Sequence, residues 1–175
     1  MYYVELLVRL KIPDVTALTA SNSLRRRMGY AKVMTELKRA DYYLLEIEAE
    51  TAEDAELFVY EIAEQTSLFV NPNKHAFEVR VKGTPSDEKP EPGLFEVNVL
   101  VRDVEGDKGP GLRDTLVRLG YVAVQSVQAQ TMWILKIRAD DVEAAKKGAE
   151  EIAVTTSRSK GLLGNPHYQQ YTVTG

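Results

Sequence analysis

The chain repeats itself, and that repetition limits its fold more than any other feature. Met28-Gly29-Tyr30 returns as Leu119-Gly120-Tyr121, Ile47-Glu48-Ala49 as Ile137-Arg138-Ala139, Ile62-Ala63 as Ile152-Ala153, and Asn71-Pro72 as Asn165-Pro166. Order is kept and the offset is nearly constant, so the chain reads as an internal duplication. Between the copies lies KGTPSDEKPEPG, where Pro85, Pro90 and Pro92 sit among charged and small residues without apolar periodicity. That composition marks a solvated, stiff linker. The expected organisation is a first unit over residues 1–82, a linker over 83–93 and a second unit over 94–175. At about 3.3 Å per residue the linker reaches roughly 40 Å, enough for the copies to pack side by side.

Within each copy the periods are legible. Val4, Leu6, Val8 and Leu10 alternate with neighbours of mixed polarity, as do Phe95, Val97, Val99 and Val101, so both copies open with a half-buried strand. A helix follows. Its apolar positions are Ala17, Ala20, Leu24 and Met28 before Gly29 in copy one, and Leu112, Leu116 and Leu119 between Pro110 and Gly120 in copy two. Two further strands are expected at Val33–Leu37 and Tyr42–Ala49, and at Val122–Gln128 and Met132–Ala139. Thr51-x-x-Asp54 and Asp140-x-x-Glu143 then read as capping boxes of a second helix. In copy two that helix carries Gly148, at a cost of about 1 kcal/mol relative to alanine. Each copy next meets Asn-Pro, which ends helical pairing ahead of a last strand. The order is β-α-β-β-α-β: an α+β fold of two tandem ferredoxin-like units. A unit of roughly 85 residues is marginal alone. Joining two raises each one's effective concentration near the other to about the millimolar range, so the chain is expected to form an intramolecular pseudo-dimer.

Bulk properties exclude several functions. There is no cysteine, which removes a disulfide scaffold, a thiolate metal site and a cysteine nucleophile. A net charge of -4 with both signs interspersed gives no basic stripe for nucleic acid. No apolar run is long enough to cross a bilayer, and MYYVELLVRL carries Glu5 and Arg9 inside its apolar stretch, so it reads as a strand and not as a leader. The expected location is the cytoplasm. Gly106, Gly109 and Gly111 in EGDKGPG make a poor phosphate cradle, because Pro110 removes a backbone donor; turn chemistry accounts for them. His75 and His167 fall at different distances after their Asn-Pro pairs and read as loop histidines. Trp133, alternating with Leu135 and Ile137, reads as a packing residue.

The candidate contact residues are charged. Arg25, Arg26 and Arg27 form the densest cationic run; they suit the negative end of a helix dipole, or docking on an acidic partner surface or an anion. Glu46 and Glu48 stand where copy two has Lys136 and Arg138, so one half presents acid where the other presents base. Drift on two solvated surfaces explains this, or else complementary pairing across a pseudo-twofold.

Copy two reads LVRLGYVAVQSVQAQ, ILKIRADDVEAAKKGAEEIA and GLLGNPHYQQYTV, and copy one reads RRMGYAKVMTEL, LLEIEAETAEDAELFVYEIAEQ and VNPNKHAFEV. These stretches resemble the PurS subunit of phosphoribosylformylglycinamidine synthase, over nearly the whole chain apart from the linker. The chain departs from that pattern where a Gly-Lys pair usual before the third strand is replaced by Ala40-Asp41 and Gln130-Thr131. The resemblance implies a noncatalytic subunit without a cofactor. It would bridge an ATP-dependent synthetase (PurL) and a glutaminase (PurQ) in de novo purine biosynthesis and support ammonia delivery. It would act as a monomeric pseudo-dimer or a further homo-dimer. A different class is also compatible with the fold: a duplicated ferredoxin-like regulatory module binding an amino acid or nucleotide between its halves.

Overall fold

A computed structural model describes residues 1–84, 91–158 and 160–175, so the central part of the expected linker, 85–90, lies outside the described residues. Strand β1 (Tyr2–Leu10) leads into helix α1 (Val15–Asn22), which Asp14 caps by accepting from the Thr16 and Ala17 amides at 2.9 and 3.2 Å. A π-helical turn (Ser23–Arg27) and Gly29, at φ 81°, end that helical segment. Strand β2 (Met34–Ile47), helix α2 (Ala52–Gln65) and strand β3 (His75–Val81) complete copy one. Copy two repeats the series as β4 (Leu94–Asp103), α3 (Gly109–Arg118), β5 (Val124–Arg138), α4 (Val142–Ala153) and β6 (Gln169–Thr174). The strands form an antiparallel α+β sheet in the order β3-β1-β2-β5-β4-β6.

The expected pairs of middle strands are, in each copy, one long strand. Lys38–Asp41 and Gln128–Thr131 hold no Gly, Pro or Asn to make a hairpin turn. β2 pairs with β1 from Asp41 to Ile47, and its other end reaches β5, where the Arg138 amide donates to the Val33 carbonyl at 2.8 Å. Hence each copy is β-α-β-α-β.

The compact units are therefore not the two sequence copies. One gathers residues 1–12, 41–86 and 106–130 as its contacting segments; the other gathers 13–40, 87–105 and 131–175. In the first, Val4, Leu6, Val8, Leu45 and Ile47 pack against Ala55, Val59 and Ile62 of α2 and against Leu116 of α3. In the second, Val97, Val99, Leu135 and Ile137 pack against Ala145, Ala149 and Ile152 of α4 and against Ala17 and Ala20 of α1. Each core is thus a four-stranded antiparallel sheet under two helices, the ferredoxin-like arrangement, completed by the first helix and half of the long strand of the other copy. Trp133 lies in the second core, as its alternation predicts.

The repeated Asn-Pro turn is built in the same way both times. Asn71 Oδ1 accepts from the Asn73 amide and Asn165 Oδ1 from the His167 amide, each at 3.0 Å. The His75 and Gln169 amides return to the Asn71 and Asn165 carbonyls, each at 2.8 Å. The side chains of His75 and Gln169 then accept from the Asn71 and Asn165 amides at 3.1 and 3.0 Å. His75 therefore matches Gln169, and His167 matches Asn73. The two capping boxes differ slightly: Thr51 Oγ1 accepts from the Asp54 amide at 3.0 Å, whereas in copy two the cap is Asp141, not Asp140, accepting from the Ala144 amide at 2.7 Å.

Candidate partner-docking site

The arginine run follows from how its turn is anchored. Leu24 is fully buried in the core beneath α1, so the next three residues of the π-helical turn face solvent. Arg25, Arg26 and Arg27 are all exposed, and among the described residues no side chain pairs with them. They occupy the last turn of the helical segment, where carbonyls favour cations. At the matching place in copy two, Arg118 instead reaches back to Asp114 O at 3.4 Å and Thr115 Oγ1 at 3.3 Å.

Glu46 and Glu48 lie in one compact unit, Lys136 and Arg138 in the other. Three of the four side chains, those of Glu46, Glu48 and Lys136, find a partner. Glu46 accepts from Ser126 Oγ at 3.0 Å and Tyr3 Oη at 3.3 Å, and Glu48 from Gln125 Nε2 at 3.3 Å. Lys136 sits 3.6 Å from Glu36, which also pairs with Lys38 at 3.1 Å. Three of the four contacts that hold these groups join residues of different copies, since Ser126, Gln125 and Glu36 face strands from the opposite repeat. Arg138 lines an open depression with Glu91, Pro92, Gly93, Leu94, Ala139 and Asp140. Among the described residues no group of three or more His, Asp or Glu is placed to hold a metal ion.

A cluster that sequence reasoning missed lies on the sheet face opposite the helices of the first unit. Glu5, between the core residues Val4 and Leu6, points to that face. There it accepts from Tyr42 Oη at 2.8 Å and from Arg80 Nε at 2.6 Å. Tyr42 is buried to 1% exposure. Burial first, then the Glu5 charge and the hydrogen bond to it, push its phenol far above the ordinary 10.0. Burial works against the Arg80 cation, but the hydrogen bond and charge of Glu5 outweigh it and hold the guanidinium protonated. The three residues come from β1, β2 and β3, far apart in sequence, and meet because Glu5 stands opposite Arg80 in one ladder and Leu7 opposite Tyr42 in the other. The available signal was the charge at Glu5 and Arg80 inside alternating apolar strands. All partners within the cluster are satisfied, so it fixes three strands and offers no free reactive group.

Paired charges thus lie on strand faces in each compact unit, and three free arginines lie at a helix end of the second. Compared with known proteins, residues 3–83 match the family model PurS: Phosphoribosylformylglycinamidine (FGAM) synthase. No curated protein matches the chain.

Proposed function

From the match of residues 3–83 to the PurS family model, we propose that the chain belongs with FGAM synthase in purine biosynthesis, as a noncatalytic scaffold subunit of that enzyme. In this reading it bridges the ATP-dependent synthetase and the glutaminase and supports ammonia delivery between them, in the cytoplasm. The match over residues 3–83 is the observation that carries the reading. Residues 94–175 act as a second PurS-like unit joined through 83–93, and the whole as an intramolecular pseudo-dimer. Two features support that extension. The Asn-Pro turn has the same hydrogen bonds in both copies, and each core borrows the other copy's first helix, so neither copy holds a complete core alone. Arg25, Arg26 and Arg27, exposed and unpaired among the described residues, supply partner contacts, with Glu46, Glu48, Lys136 and Arg138 as further contact residues.

Reconstitution tests the proposal. Synthesis with glutamine as nitrogen donor should require this chain alongside the matching synthetase and glutaminase, while synthesis with free ammonia by the synthetase should need it less. Indifference of both activities to the chain would remove the scaffold role.

A further inference from the structure

In the second compact unit one tyrosine ties the turn after α1 to the chain after α4. Tyr30, next to Gly29, packs against the second core, and its hydroxyl lies against the Gly161 backbone and near the Glu151 carboxylate. The connection that Gly161 closes is an insertion. Ala153 and Asn165 are twelve positions apart in copy two, where Ala63 and Asn71 are eight apart in copy one. Backbone contacts set its path. The Thr156 amide donates to the Lys160 carbonyl at 3.2 Å, and the Leu162 and Leu163 amides donate to the Ile152 and Ala153 carbonyls at 3.0 and 2.8 Å. Gly161 has a φ of 71°, and a Cβ there would fall 1.6 Å from the Val154 carbonyl oxygen, so only glycine closes the connection in this way.

The two turns brought together carry one sign of charge. Residues 25–32 and 150–161 hold six cations, Arg25, Arg26, Arg27, Lys32, Arg158 and Lys160, against two acids, Glu150 and Glu151. All six cations are exposed. Lys160 reaches Glu151 at 4.0 Å, and among the described residues no side chain pairs with the other five. The equivalent place in the first unit, where Tyr121 meets Phe58 of α2 edge-on, has the opposite balance: residues 116–123 and 60–67 hold Arg118 against Glu61 and Glu64. Cations gathered at this density repel one another, and an acidic surface seated on them relieves that repulsion. Six of them on two turns exceed what one phosphate or carboxylate can engage. Glu150 and Glu151 in the same group, on a chain of net charge -4, disfavour a nucleic-acid backbone.

We infer that the chain docks an acidic face of a partner subunit through this end of its second unit alone, with Arg25, Arg26, Arg27, Lys32, Arg158 and Lys160 as the contact residues. The inference rests on the scaffold reading for the partner's identity, and adds to it which of two repeated ends is used. It also gives the inserted connection a role, since Arg158 and Lys160 have no counterpart in copy one.

Binding of the matching synthetase and glutaminase to the immobilised full chain tests it. For one of the two, Arg25→Glu with Arg26→Glu and Arg27→Glu, and separately Arg158→Glu with Lys160→Glu, should each weaken binding about tenfold or more, mainly through slower association. Binding to the parent chain should weaken between about 50 and about 500 mM salt. Arg118→Glu, at the equivalent place in the first unit, should change the affinity less than about twofold. Circular dichroism checks that each variant is folded. A parent chain that binds neither protein removes the scaffold reading and this inference together. Full-strength binding by both variants, or an equal loss in Arg118→Glu, overturns this inference and leaves the scaffold reading standing. A single-stranded RNA of about 20 nucleotides held more tightly than either protein, and released by the arginine substitutions, would overturn it in favour of nucleic acid.

Discussion

The same sheet position has different chemistry in the two halves. Glu5 stands opposite Arg80 on one neighbouring strand and diagonal to Tyr42 on the other; the matching ladder positions in copy two are Asn98, Thr174 and Met132. In the first unit the three side chains form a closed hydrogen-bonded cluster. In the second, Asn98 Oδ1 is buried without a hydrogen-bond partner among the described residues. A little further along, the Glu46–Ser126 contact of one unit is matched by Lys136–Glu36 in the other. The Asn-Pro turns, by contrast, are the same in both halves to within 0.1 Å in each hydrogen bond. Groups bonded to backbone are held in place by the fold itself. Groups whose partner is another side chain can change as pairs, and here they have.

That contrast is broken most directly at Glu5. Glu5→Ala leaves the Arg80 guanidinium and the Tyr42 hydroxyl without their acceptor, and should cost about 3 kcal/mol in urea unfolding. Asn98→Ala removes a side chain whose oxygen has no partner, and should cost less than about 1 kcal/mol. Equal losses would mean that the cluster contributes no more than its neutral counterpart. Tyr42→Phe removes one hydrogen bond to a charged acceptor, at about 1.5 kcal/mol. It also has a pH signature. A tyrosine in the unfolded chain releases its proton near 10.0, while folded Tyr42 keeps it to higher pH, so the folded state binds more protons and loses stability as pH rises past 10.0. Unfolding followed from pH 9 to pH 11 should show a shallower decline in the Tyr42→Phe protein.

How much of this was legible beforehand depended on the distance over which the signal acts. The duplication, the opening strands and the helix faces are local patterns, and Ala17, Ala20, Leu24 and Leu116 line the cores as their spacing indicates. The continuity of β2 and β5 was misread because alternation breaks around Lys38–Asp41, and a break in period looks like a turn; the absence of Gly, Pro or Asn there was the better guide. The exchange of α1 and α3 between cores leaves no local trace, since Ala17, Ala20 and Leu116 are apolar whichever sheet they cover. The exposed arginine run was visible as a charge cluster. The Glu5–Tyr42–Arg80 cluster was not, because it depends on the register of two ladders.

The helix starts sharpen the comparison at smaller energies. Asp14 caps α1 and also meets Arg39 Nε at 2.9 Å, while Asp107 before α3 accepts only from the Gly109 amide, at 2.8 Å, among the bonds seen here. Asp14→Ala should cost about 1 kcal/mol and Asp107→Ala less. Burial raises the Asp14 carboxyl, but the Ala17 amide and the Arg39 guanidinium outweigh it and hold it below 3.8. With a depressed folded value, its contribution is complete above 3.8 and is lost as pH falls through the folded value. Acid unfolding of the Asp14→Ala protein should therefore be less steep below pH 4 than that of the parent, and an identical slope would place the acid-sensitive carboxylates elsewhere.

The smallest expected effect runs in the opposite direction, towards greater stability, and separates the second helices of the two copies. At the position where α2 carries Phe58, whose ring meets Tyr121 edge-on at 5.8 Å, α4 carries Gly148. A Cβ added at Gly148 would meet Ile137 Cγ2 at 3.7 Å, an ordinary contact, and the glycine has no positive φ to preserve. Gly148→Ala should therefore restrict the unfolded chain and favour the helix without strain, for a gain of about 0.5–1 kcal/mol. A matched change at Phe58 to alanine should destabilise, because it empties the space beside Tyr121. Opposite signs in thermal melts of the two variants would show that α4 is limited by helix propensity and α2 by packing. A loss of stability on Gly148→Ala would mean instead that close packing on Ile137, and not backbone freedom, decides the residue at that position.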